Sequence, residues 1–224
     1  MAKILVIGSH PDDETLGVGG TIVRHRGKGD DVAVLILSDG VTARHQEIEK
    51  QKQAAISACA LLGVADVRFS GLPDQKLDSF PLIDIIRPIQ QCIMDFQPDV
   101  VYTHHGGDVN QDHRAVFNAT LVAVRPVGSH RVNRVLCYEV PSSTEWAPPI
   151  SGWAFLPNVF INIGEQLETK IKAFQAYSKT HVSEVPAFPH PRSIEAVRNL
   201  ARQRGMQVGL RAAEAFFLIR ELIN

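Results

Sequence analysis

The stretch IGSHPDDETLGVGG, residues 7–20, follows directly on the apolar run KILVI. It places a histidine, a proline and three acidic side chains where a strand-like segment ends. A strand buried in a parallel sheet has no reason of its own to finish in so much negative charge, since unpaired charge is costly to desolvate. An acidic first turn does favour the positive end of a helix dipole, and Pro11 suits a helix start. Capping is therefore one reading of this turn, and a bound cation is the other.

Outward from this turn the chain alternates. Apolar runs of strand length stand at KILVIG (3–8), DVAVLILSDG (31–40), VRFSGL (67–72), DVVYTH (99–104) and VNRVLCYEV (132–140). Between them lie segments of helical period at 14–27, 45–62, 80–96 and 112–125. Such alternation predicts a mostly parallel sheet covered by helices, because continuous apolar strands need both faces buried. Gly27 and Gly29, Gly63 and Pro98 punctuate the helix ends, and Pro88 is placed to kink the third helix. Past residue 140 the texture changes to VPSSTEWAPPISGWAF, followed by a strand candidate NVFINIG and helices expected at 165–178 and 192–204. The ending AEAFFLIREL reads as strand or helix. The expectation is one α/β domain over 1–224, with 141–224 as a variable loop and tail region. Its Rossmann-like core takes the strand order 3-2-1-4-5.

That order sets the first and fourth strands side by side where the winding reverses, and their C-terminal ends open into one crevice. The loop after the fourth strand is HHGGDVNQDHR, residues 104–114. The two most polar, histidine-rich loops are thus expected to face each other. His10 and Asp13, separated by two residues within a tight turn, can reach one ion, and His113 can supply a third ligand. Two histidines and one carboxylate leave a zinc ion an open position, which is the catalytic arrangement. Asp12, projecting differently from Asp13, is then available as the base that takes a proton from water and passes it to a leaving amine. Glu14 and Asp112 suit supporting roles that orient the ligands. His104 and His105 read as supports of their loop.

Competing motifs are missing. The first strand-to-helix turn lacks G-x-G-x-x-G, Gly17, Gly19 and Gly20 come too late, and the carboxylates would repel a pyrophosphate. No G-x-x-x-x-G-K-[ST] or G-x-S-x-G is present. The 23 basic and 24 acidic residues offer no footprint for nucleic acid or an anionic membrane. The start MAKILVIG has no signal-peptide pattern and the apolar runs are too short to span a bilayer, so a cytoplasmic protein without a membrane span is expected. Cys59, Cys92 and Cys137 lie far apart and read as reduced core residues.

HPDDE after the first strand and GDVNQDHR after the fourth together resemble the LmbE-like, or PIG-L, family of zinc-dependent N-deacetylases acting on N-acetylglucosamine-type substrates. The tail segments PHPRS and RGMQVGLRAAEAFFLIR extend the likeness. The resemblance implies His10, Asp13 and His113 as metal ligands, Asp12 as base, and a Rossmann-like fold. It implies a zinc ion, with iron(II) as an alternative, and a small N-acetyl amino sugar or conjugate as partner, and it leaves a homo-oligomer open. Several members carry a second histidine where this chain has Asn110. Its carbonyl-polarising role then falls to the metal, to the Asn110 amide, or to His190 of the tail. Arg44 and Arg192 are the expected substrate contacts, with 165–224 closing over the ligand. A thiol-conjugate amidase using the same site and a non-catalytic sugar-nucleotide binding module are the rival readings.

Overall fold

Five of the apolar runs form parallel strands, β1 (Lys3–Gly8), β2 (Asp31–Ser38), β3 (Asp66–Leu72), β4 (Val100–His104) and β5 (Arg134–Tyr138). The computed structural model describes residues 1–40, 47–128, 130–179 and 185–223. The seven-stranded sheet has the order β3-β2-β1-β4-β5-β7-β6, so the expected 3-2-1-4-5 core is present. Two more strands extend it. β7 (Ala213–Glu221) runs antiparallel to β5, and β6 (Val159–Asn162) runs antiparallel to β7. The ambiguous ending AEAFFLIREL is therefore a strand, whose ladder partners lie far away in sequence.

Successive residues of β1 feed opposite faces. Ile4 and Val6 enter one core with Val34, Ile36, Val18 and Ile22, under α1 (Asp13–Gly27), α2 (Ile48–Leu61), α5 (Leu167–Gln175) and α6 (Ile194–Met206). Leu5 and Ile7 enter the other, under α3 (Leu82–Phe96) and α4 (Gln111–Ala123). Covering both faces explains why the strands are apolar throughout rather than alternating. Pro88 lies inside α3, which continues to Phe96. The three cysteines are free and buried, and burial pushes their thiols up, Cys92 to about 11, which fits inert core residues.

The glycines of α1 act by closeness rather than by phosphate binding. A Cβ on Gly17 would stand 2.2 Å from the Tyr138 ring, and one on Gly20 2.8 Å from Ile163. With no side chain there, α1 lies directly against the sheet, and the Tyr138 hydroxyl donates to the Ile7 carbonyl at 2.7 Å. The first turn of α1 is thereby fixed over the ends of β1 and β4.

Candidate active site

The turn 9–13 binds itself together before it meets anything else. The His10 N–H donates to Asp13 Oδ2 at 2.7 Å, and the Asp12 N–H donates to Glu14 Oε2 at 3.0 Å. Buried Glu14 also accepts from the Thr15 and Tyr177 hydroxyls. Asp12, at the cap position of α1, makes no side-chain cap bond and has φ 123°, a region that disfavours side chains. Strained backbone of this kind is a hallmark of functional positions. Asp12 does not cap the helix with its side chain, while Asp13 and Glu14 stand in its first turn. The other loop does cap its helix: Asn110 Oδ1 accepts from the Asp112 N–H at 2.9 Å.

β1 and β4 being neighbours, the two loops converge. One ligand atom each from His10, Asp13 and His113 lies within 4.8 Å of the others, and all three side chains are largely enclosed. His10 Nδ1 stands 3.3 Å from His113 Nε2 and 3.5 Å from Asp13 Oδ2, while His113 Nε2 is 3.5 Å from Asp13 Oδ1. The remaining nitrogen of each imidazole faces a carboxylate. His10 Nε2 is 3.0 Å from Asp112 Oδ2 and 3.3 Å from Asp74 Oδ1, and His113 Nδ1 is 3.1 Å from Asp108 Oδ2. A carboxylate on the outer nitrogen favours a proton there and leaves the other nitrogen turned toward the trio, the arrangement of carboxylate-backed metal ligands.

Electrostatics agree with a cation site. Burial works against a charged His10, yet its hydrogen bonds and charge interactions with Asp112 and Asp13 raise it to about 10. Burial likewise opposes an ionised Asp13, but the imidazoles of His113, His104 and His10 hold its carboxyl well below the usual range. Such a pocket favours positive charge, and a divalent cation is one group able to supply it. The donor set of two imidazole nitrogens and a carboxylate oxygen fits such an ion. His104 is the support expected of it: fully buried, it stacks on His113 at 3.9 Å and accepts the Ser9 N–H at 2.9 Å. Burial, with His113 close by, pushes it down to about 4, so it stays neutral. His105 donates to the Trp153 carbonyl at 2.9 Å.

Several participants were not foreseen. Asp108 is buried and accepts from the Asn110 N–H at 2.8 Å, from Thr144 Oγ1 at 2.7 Å and from Ser143 Oγ. Burial pushes its carboxyl up, but the neighbouring His113 imidazole and these hydrogen bonds outweigh it and bring it to about 2. Asp112, expected as a support of the ligands, accepts from the Gln75 and Leu77 N–H groups, both at 2.9 Å, tying the β3–α3 connection to His10. Asp108 stood inside the quoted loop, so an acid five residues before a ligand histidine was a usable signal. Asp74, Ser143 and Thr144 had none, because only the fold brings them near. Asp108→Asn should keep the fold and weaken divalent-metal affinity about 10- to 100-fold, the usual effect of losing such a support. A chelator competition titration measures it, and an unchanged affinity would remove Asp108 from this role.

A cavity of about 530 Å³ opens over the trio and is lined also by Asp12, Asn110, Gln75, Trp146 and Arg192. Arg192 Nη2 donates to Asp12 Oδ2 across the crevice. His190 is not among the lining residues. Its Nδ1 accepts the Arg192 N–H at 3.1 Å and its ring makes a T-shaped contact with Trp146 at 6.4 Å. Arg44 lies outside the described residues. Among the described residues, no helix is long and apolar enough to cross a membrane.

An open α/β sheet thus brings a His-Asp-His trio able to hold a cation together at its switch point, with the Asp12 carboxylate beside it on the same cavity. The model of the PIG-L family, described as GlcNAc-PI de-N-acetylase, matches residues 5–124. The chain belongs to this family. It is 32% identical to the uncharacterized deacetylase YaiS of Escherichia coli over 171 residues, covering 74% of this chain and 84% of that one. It is 29% identical over 188 residues to a probable N-acetyl-alpha-D-glucosaminyl L-malate deacetylase 2 of Bacillus subtilis, covering 78% and 81%. The N,N'-diacetylchitobiose deacetylase of Pyrococcus horikoshii superposes with a TM-score of 0.77 over 97% of this chain and 84% of that one, at 21% identity, a likeness of fold.

Proposed function

We propose that this protein is a zinc-dependent N-deacetylase, with iron(II) as the alternative metal, that removes the acetyl group from an N-acetylglucosamine-type sugar or its conjugate. The observation that carries this reading is the trio His10, Asp13 and His113 within 4.8 Å, on one cavity with Asp12. The names of the relatives support the substrate class. His10 Nδ1, Asp13 and His113 Nε2 would hold the metal, which supplies Lewis acidity toward an amide carbonyl and a more acidic water.

The chain's own residues do the rest. Asp12 takes the proton of the attacking water at its carboxylate and returns it to the leaving amine nitrogen. Arg192 orients that carboxylate through its guanidinium, so Arg192 acts on the base as well as bounding the cavity. The Asn110 oxygen is spent on capping α4, so its amide nitrogen is the part left to donate toward the substrate carbonyl. His190 acts one step removed, positioning Arg192 and Trp146. Arg44 remains a proposed substrate contact. The reduced cysteines fit a cytoplasmic enzyme.

Elemental analysis and acetate release on a panel of N-acetylglucosaminides test the reading together. The unmodified protein should carry one divalent metal per chain and release acetate. His113→Ala should lose the metal, and full occupancy in that variant would overturn the ligand set.

A further inference from the structure

The sugar-recognising part of the cavity is assigned by a residue that the chemistry above does not use. Trp146 closes a short 3-10 turn, Thr144–Trp146, lines the same cavity as Asp12, Asn110 and His113, and is 57% exposed. The turn beneath it is held rigidly. The Thr144 hydroxyl donates to Asp108 and accepts from the Val140 N–H, and Ser143 Oγ donates to Asp108. The Ser142 and Ser143 N–H groups donate to the Glu145 carboxylate at 2.6 and 3.2 Å. Asp108 in turn supports His113. The indole is thus referenced to the metal ligands through two hydroxyls and one carboxylate.

The second tryptophan is a useful contrast. Trp153 lies under the Arg114 guanidinium, 5.2 Å from it, and its backbone presses on Gly107 and accepts from His105. Trp153 has a structural role. Trp146 is instead a rigid aromatic surface presented to a cavity that is far larger than an acetamide needs, beside the apolar Val109, Val140 and Pro141. Aromatic faces carry negative charge density and attract the weakly positive C–H edges of a ligand. A pyranose ring offers such a C–H face, whereas an acyclic acetamide does not.

Resting on the deacetylase reading, we propose that Trp146 is the platform on which a pyranose ring of the substrate stacks. It makes the enzyme selective for N-acetylhexosaminides over acyclic N-acetyl compounds.

The experiment compares methyl N-acetyl-β-glucosaminide with N-acetylethanolamine on the metal-loaded protein. Trp146→Ala should raise KM for the sugar about tenfold, with kcat within threefold, and leave kcat/KM for the acyclic amide unchanged. Trp146→Phe should recover most of the loss, which a merely structural role would not predict. An unchanged sugar KM in Trp146→Ala, or equal losses on both compounds, overturns the platform while leaving deacetylation standing. A binding readout separates the two readings from the other side. Titrating the metal-free protein with the methyl glycoside should change its intrinsic fluorescence saturably, and Trp146→Phe should abolish the change. Saturable change without acetate release from any substrate would keep the platform and sink the deacetylase reading. No change in fluorescence would overturn the platform.

Discussion

Asp12→Asn should keep its metal and lose turnover on the order of 10²- to 10⁴-fold, the contribution typical of a positioned general base. The prediction rests on what the Asp12 carboxylate is not doing. It makes no helix-cap bond, and the trio proposed to hold the cation draws on Asp13 instead. Its backbone stands at φ 123° with its N–H on the Glu14 carboxylate, and its side chain meets Arg192 over the cavity. Asparagine keeps the shape and removes the proton acceptor. Steady-state acetate release with parallel metal analysis decides the matter. Turnover within a few-fold of the unmodified enzyme would end the base assignment, and metal loss would mean that Asp12 and Asp13 have exchanged roles.

Lys170→Met should destabilise the protein by about 3–5 kcal/mol, the usual result of removing one partner from a buried ion pair. Lys170 and Glu214 are each about 4% exposed and meet at 2.6 Å. Lys170 Nζ also donates to the Leu16 carbonyl at 2.7 Å, and Glu214 accepts from the Gly20 and Thr21 N–H groups at 2.9 and 2.7 Å. One ion pair thus ties α5 and β7 into the middle of α1, the helix whose first turn carries Asp12 and Asp13. Methionine fills the space of the lysine stem but leaves Glu214 charged and buried. Urea unfolding should show the loss, and the melting temperature should fall on the order of 10 °C. Adding Glu214→Gln should cost less than the sum of the two single changes, since the groups are in contact. A single-variant loss under about 1 kcal/mol would show that α1 is held by its apolar face alone.

Most of the parallel core was legible because each strand is buried on both faces, and that burial writes a continuous apolar run. The tail was less so. The segment 213–221 gains its strand identity from β5 and β6, and AEAFFLIRE taken alone satisfies either period. The convergence of His10, Asp13 and His113 was legible for a similar reason: His10 and Asp13 share one turn, His113 lies in the polar, histidine-rich loop after β4, and the strand order puts these loops together. The expectation for His190 shows the limit. A histidine in a proline-rich tail can be suspected of approaching the site, but its contacts are with Arg192 and Trp146 at the cavity's edge.

By itself, then, the amino-acid sequence determined the α/β architecture, the two motif loops and the residue types able to hold a cation, because periodicity and short spacings are local properties of a chain. Tertiary structure alone decided which carboxylate backs which imidazole, that Arg192 engages Asp12 from 180 residues away, and that Ser143 and Thr144 reach Asp108. Those pairings depend on where the sheet order and the packing of α1 bring distant loops, and no spacing along the chain encodes a contact that only a shared cavity creates.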